Sequence, residues 1–315
     1  MKFTEFVEVI KGKVEQLLEG KATATVHEVL KNNGIKLTGI SIGNNNSNLA
    51  PTVYLEAYWK RINGDSKIIS ISEGILQDVA EEIVMMSKKY RCNPTMSFEW
   101  FEDWSQVKNR LAVKLINRNR NSELLNDVPY RLVLDDLAMI AYMILPKENN
   151  IKDCVIGNIT IRNDHLGQWG KTANELMEVA LKNTPKILPD KVCNMNNLIA
   201  EMIGEVEINY ENIEDLNPVT DTFLVLSNTE KMYGATVLLY PNVLKRIANI
   251  MQADIYILPS SVHELILLPV ITEVSCNNLR EMVLEVNQSS VVSEEEILTN
   301  TVYVYRREND TVQVA

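Results

Sequence analysis

The chain has 315 residues, 46% hydrophobic and 23% charged, which is the usage of a packed globular protein with room for one large domain or two modest ones. Its formal net charge of -11 repels phosphate backbones and anionic headgroups. That composition argues against a disordered chain, and because the tightest basic cluster, Arg118 and Arg120 near Lys114, is interrupted by asparagines, nucleic acid is not expected as a partner.

Residues 1–20 place Phe3, Phe6, Val7, Ile10, Val14, Leu17 and Leu18 at helical spacing among Glu and Lys, an amphipathic helix rather than a secretion signal. Two β-rich runs, 23–30 and 35–42, are joined by Asn32-Asn33-Gly34, whose tolerance of positive φ predicts a tight hairpin turn. After a polar loop at 43–48, Pro51 precedes a short strand at 52–55, and Ser72 caps a helix running to about residue 89. Trp100 and Trp104 are one helical turn apart, which predicts a short helix with an aromatic inner face. A strand at 111–116 and a helix at 120–125 follow, and the apolar run 130–145 reads as one central strand buried on both faces. Next come a strand at 155–161, a helix start at Asn163-Asp164 with Asp164 as its cap, and a helix at 172–183 that Pro185 stops. Thr172 and Glu175 have capping-box spacing. A weaker helix is expected at 196–203.

Beyond the acidic stretch around Pro218, strands are expected at 222–226 and 235–240, with a helix opening at Pro241. Strands at 254–258 and 263–268 flank a turn at Pro259-Ser260-Ser261, and a helix at 278–287 and a hairpin at 303–314 complete the pattern. Strand-strand-helix repeated in this way implies an α+β fold of mixed, largely antiparallel sheets with helices packed on one face, in two sub-domains. The expected division is 1–204 and 218–315, with 205–217 as an acidic linker. The longest apolar runs, 137–145 and 265–271, are far short of the roughly 20 residues that span a bilayer, so no membrane partner is expected.

Chemistry is sparsely written. Cys92, Cys154, Cys193 and Cys276 are dispersed and read as the reduced thiols of a cytoplasmic protein. His27, His165 and His263 show no metal-ligand spacing, and His263-Glu264 lacks the second histidine of H-E-x-x-H. Neither a metal nor a nucleotide cofactor is expected, since no glycine-rich phosphate cradle occurs. The densest cluster of reactive types is Ser260, Ser261, His263 and Glu264. In an extended strand Ser261 and His263 would share one face and Glu264 would point the other way, so these residues cannot form a triad alone. Asp135 and Asp136 lie in an apolar run, where a buried carboxylate requires a partner, with Arg131 or a backbone amide as the simplest.

Several segments together carry a family resemblance. They include Lys31-Asn32-Asn33-Gly34, Ala50-Pro51-Thr52-Val53-Tyr54-Leu55, Leu115-Ile116-Asn117, Asp136-Leu137-Ala138, Trp169-Gly170, Gly234-Ala235 and the continuous run from Tyr256 through Pro259 to Glu264. On these the chain resembles the bacterial proteins grouped as domain of unknown function 5688, a resemblance that brings no activity or catalytic residue with it. The leading expectation is a non-enzymatic cytosolic protein that binds a protein or small ligand through Ser260, Ser261, His263 and Glu264. The rival is a hydrolase in which His263 is the general base, Ser261 is a candidate hydroxyl, and Asp136 or Asp164 is the carboxylate brought near by folding.

Overall fold

A computed structural model describes residues 1–43, 52–63, 72–89, 99–145, 157–195, 213–217, 222–270, 275–289 and 292–315. They group into two compact units: Met1–Lys31 with Ile35–Glu102, and Asn32–Gly34 with Asp103–Lys147 and Val155–Ala315. The expected helix at 196–203 and residues 205–212 of the expected linker lie outside the described residues. Just beyond them, Ile213–Asp215 form a 3-10 turn with Ile213 buried, and Glu214 pairs with Arg246.

In the first unit, helix α1 (Phe3–Leu18) buries Phe6, Val7, Ile10, Val14 and Leu18, the stripe written in its sequence. Strands β1 (Thr23–Leu30) and β2 (Lys36–Gly43) form the expected hairpin, in register from Thr23 opposite Gly43 to Leu30 opposite Lys36. Its turn places Asn33 at φ 60 and Gly34 at φ 73, the left-handed region that asparagine and glycine enter at least cost. Strand β3 (Thr52–Tyr54) adds to β2 and gives way at Leu55 to helix α2 (Leu55–Asn63), where the sequence predicts only a strand at 52–55. Leu55, Tyr58 and Ile62 supply its buried face at helical spacing. Helix α3 (Glu73–Lys89) closes the core through Leu76, Val79, Ala80 and Ile83.

The helix expected through Trp100 and Trp104 is broken. Helix α4 (Glu99–Glu102) ends the first unit and α5 (Trp104–Val107) begins the second, separated by Asp103 in an extended conformation. The Asp103 carboxylate accepts from Ser105 N at 2.8 Å, so a local cap outcompetes helix continuation.

The second unit contains two antiparallel sheets. In the four-stranded sheet, β4 (Leu111–Asn117) and β5 (Tyr130–Leu134) flank β6 (Leu137–Ile144), which also pairs with β7 (Asn158–Thr160). The run 130–145 is thus two strands and not one, because Asp135 and Asp136 form the turn between them. Only β6 has the double-sided burial expected of the whole run, while Tyr130 and Leu132 of β5 are exposed. The outer edge of β4 would leave amides unpaired in the interior. Two buried hydroxyls meet them: Val113 N donates to Thr184 Oγ1 at 3.0 Å and Leu115 N to Thr236 Oγ1 at 3.3 Å.

Helix α6 (Ser122–Leu125) follows β4, and α7 (Asn163–Trp169) follows β7. Helix α8 (Ala173–Ile187) carries the capping box read from the sequence, with Thr172 Oγ1 accepting from Glu175 N at 3.2 Å and Glu175 Oε2 accepting from Thr172 N at 2.9 Å. The Thr172 amide, then Lys171 and the Thr172 hydroxyl, hold the Glu175 carboxyl down to about 2. Pro185 does not stop α8, which continues to Ile187; in the last turn a missing amide removes a single helical bond.

The six-stranded sheet runs β13-β12-β10-β11-β9-β8, with β8 (Asp190–Asn194), β9 (Leu224–Asn228), β10 (Ile255–Pro259), β11 (Leu265–Pro269), β12 (Tyr303–Arg306) and β13 (Thr311–Val314). Helix α9 (Val243–Met251) precedes β10, and α10 (Cys276–Gln288) packs Leu279 and Val283 against Leu258 and Leu268. The strand expected at 235–240 is instead a buried 3-10 segment, Gly234–Leu239. An apolar run this short has no periodicity that separates the two.

Candidate functional site

Strand β10 ends at Pro259 and β11 starts at Leu265, so Ser260, Ser261, His263 and Glu264 occupy a turn and not the start of a strand. The alternation expected for an extended segment therefore does not apply. Ser261 is 8% exposed, and its Oγ accepts from His263 N at 3.0 Å, closing a local side-chain turn. Ser261 N donates to Glu264 O at 3.3 Å. Ser260, His263 and Glu264 are half-buried, with Ser260 Oγ 3.5 Å from Glu264 Oε1.

His263 is held by its neighbours on two sides. Its Nδ1 accepts from Tyr233 N at 3.2 Å, and its ring stacks on that of Tyr233 with centroids 5.6 Å apart and planes 14° apart. Because Nδ1 accepts, the neutral imidazole carries its proton on Nε2. Nε2 lies 3.8 Å from Glu296 Oε1, and the His263 side chain is 34% exposed. Tyr233 sits at φ 53, a left-handed conformation that a bulky side chain adopts at a cost of roughly 1–3 kcal/mol when its surroundings enforce it. The following residue explains how. A Cβ on Gly234 would lie 2.1 Å from Ser227 Oγ and 2.3 Å from His263 O, so only glycine lets these backbones approach, and Ser227 Oγ then donates to His263 O at 2.7 Å. Tyr233 also meets Tyr142 edge-on, and the Lys114 ammonium lies 4.3 Å from the Tyr233 ring centroid.

The carboxylate beside His263 comes from the segment between α10 and β12, for which the sequence predicts no element. Val262 N donates to Glu296 O at 2.8 Å, fixing residues 294–298 against the turn. Three asparagines clamp the same segment. Asn33 Nδ2 donates to Glu294 O and Ile297 O, each at 2.7 Å; Asn32 Nδ2 donates to Glu295 O at 2.7 Å; and Asn117 Nδ2 donates to Leu298 O at 3.0 Å. Asn121 locks Asn33 by accepting from its backbone N and donating to its Oδ1.

Asp136 stands where this segment continues into β12. Its Oδ2 accepts from the Thr299 hydroxyl and from Thr301 Oγ1 at 2.8 Å, and its Oδ1 accepts from the Tyr303 hydroxyl. The partners expected for this carboxylate, Arg131 or an amide, are replaced by three hydroxyls. Burial first, and then the Asp136 carboxylate, push the Tyr303 hydroxyl far up, so it stays a donor. Asp135 is exposed.

Asp164 is exposed on α7, and the N-cap there is Arg162. The expected Asp164 cap is replaced by His165, whose Nδ1 accepts from Arg162 N at 3.2 Å. Burial, reinforced by Arg162, lowers the His165 imidazole. Among the described residues, the carboxylate within ion-pair distance of His263 is thus Glu296, while Asp136 is committed to hydroxyls and Asp164 stands at the start of α7. Glu296, Tyr233 and Asn33 are the contributors that sequence reasoning missed. The Ser293-Glu294-Glu295-Glu296 run was a weak signal for the first.

Among the described residues no group of three or more His, Cys, Asp or Glu side chains could hold a metal ion, and no helix is long and apolar enough to cross a membrane. The molecule is an α+β protein of antiparallel sheets and packed helices in two units. Its residues 3–307 match the family of unknown function DUF5688, and the chain belongs to that family. It matches no curated protein and no solved structure.

Proposed function

We propose that this is a non-enzymatic cytosolic binding protein that presents the 259–264 turn, completed by Glu296, to a partner. The observation that carries this reading is how the hydrogen bonds of the turn are spent. The Ser261 hydroxyl and the His263 Nδ1 both serve the main chain, one accepting from His263 N and the other from Tyr233 N, and neither serves the other. Nucleophilic catalysis needs that mutual contact. What remains for a partner is the Nε2 edge of His263 and the Glu264 and Glu296 carboxylates, Glu264 already accepting a long bond from the Ser260 hydroxyl, on a surface whose chain carries a net charge of -11. Such a rim favours a protein segment rich in Lys or Arg and in hydrogen-bond donors.

Replacing His263 and Glu296 together, by His263→Ala with Glu296→Gln, is expected to remove specific partners from affinity capture at physiological salt while the far-UV circular dichroism stays unchanged. Raising the salt to about 0.5 M, where the Debye length falls to a few ångströms, should release the same partners from the wild type. Identical partner sets for the folded variant and the wild type would end this reading.

A further inference from the structure

A cleft of about 780 Å³ opens between the C-terminal end of α9 and the hairpin turn joining β12 to β13, within the usual volume range of small-ligand sites. Asn249, Gln252, Asp254, Arg306, Arg307 and Gln313 line it, so unlike most such sites it is polar.

Its two guanidinium groups are held differently. Arg306 Nη1 donates to Asp254 Oδ2 at 2.9 Å, a direct ion pair. The other oxygen of Asp254 accepts from the backbone N of Arg307, also at 2.9 Å. These two bonds hold the Asp254 carboxyl below its usual range and commit both of its oxygens. The Arg307 guanidinium is steered by a neutral group instead, with Nη2 donating to Gln252 Oε1 at 3.3 Å. Gln252 is itself fixed: it closes α9 at φ 53, and its Nε2 donates to Asn249 O. Among the described residues no carboxylate lies within ion-pair distance of Arg307, and its Nε is buried without an acceptor. The cleft therefore holds an oriented guanidinium that meets a neutral carboxamide, feels Asp254 through space without a direct ion pair, and keeps donors on its fork, on a chain that is otherwise strongly acidic.

We propose that this cleft binds a small ligand carrying one oxyanion group, a carboxylate or a phosphate, on a hydroxyl-bearing body. A guanidinium fork matches either oxyanion geometrically, and a held fork loses little freedom on binding. The Asn249 and Gln313 carboxamides suit hydroxyls. Glu308, exposed at the rim, disfavours a dense polyanion.

The test is an NMR titration of the full chain at fixed ionic strength, with inorganic phosphate in one arm and glycerate in the other. The Arg307 Nε–H and the Gln252 side-chain amide are followed. A saturable shift of these signals with either probe is expected, weakened at least about tenfold by Arg307→Gln. The arm that saturates at lower concentration identifies the oxyanion. Failure of both probes to saturate, or affinity in folded Arg307→Gln within about twofold of wild type, overturns the proposal. Should Arg307→Gln not fold, Gln252→Ala decides: it frees the guanidinium and should weaken binding at least about threefold, and unchanged affinity would contradict the assignment.

Discussion

Gly234→Ala is expected to destabilise the second unit by at least about 3 kcal/mol, at the upper end of what overpacking costs. The added methyl carbon would sit 2.1 Å from Ser227 Oγ, 2.3 Å from His263 O and 2.9 Å from Asn228 N. The serine hydroxyl can rotate away. The other two atoms are backbone, so relief requires moving β9 or the 259–264 turn. The same shift would break the Ser227 bond to His263 O and pull the Tyr233 amide from His263 Nδ1. Urea unfolding measures this directly, with Gly167→Ala as the control: that position in α7 has nothing within 4 Å, and alanine there should match or exceed wild-type stability. A loss below about 1 kcal/mol at Gly234 would mean that the backbones do not approach as described.

Asp136→Ala is expected to cost about 3 kcal/mol, because three hydroxyl donors lose their acceptor at once. Tyr303 is fully buried and Thr299 is 4% exposed, so water cannot readily replace the carboxylate. The coupling is testable. In a Tyr303→Phe background one of the orphaned donors is already gone, and Asp136→Ala should then cost about 1 kcal/mol less. Asp136→Asn, which keeps one acceptor oxygen but brings an NH2 group against hydroxyls, should fall between wild type and alanine. Equal costs in both backgrounds, read from urea midpoints, would show that Tyr303 and Asp136 do not act together. The consequence reaches the site, since the anchored segment 299–303 is continuous with the strand of chain bearing Glu296.

Local structure was legible wherever periodicity or turn chemistry decided it. The apolar stripe of α1, the Asn33-Gly34 hairpin turn and the Thr172–Glu175 capping box all stand in the structure as read. Reading failed where a continuous apolar run held no period: 130–145 folded back on itself at Asp135-Asp136, and 235–240 tightened into a 3-10 segment under the close packing at Gly234. At the site, Ser260 to Glu264 stand out in the sequence as a cluster of reactive residue types, but their geometry does not, because a turn and a strand share these residue types. Glu296 and the asparagine clamp escaped notice for a different reason. The contact of Asn33 with Ile297 spans 264 positions, and the asparagine donates to main-chain carbonyls, which leave no side-chain pattern in the sequence. Asp136 could be singled out as a carboxylate needing partners, yet nothing local named Thr299, Thr301 and Tyr303.

In the 259–264 turn the Ser261 hydroxyl and the His263 imidazole are committed to holding backbone and do not activate one another. Reaction of the folded protein with an excess of a fluorophosphonate, followed by intact-mass and peptide analysis, tests it at the atoms concerned. No adduct on Ser260 or Ser261 is expected. A stoichiometric adduct on either serine, abolished by His263→Ala, would contradict the binding account and make the turn a hydrolytic centre.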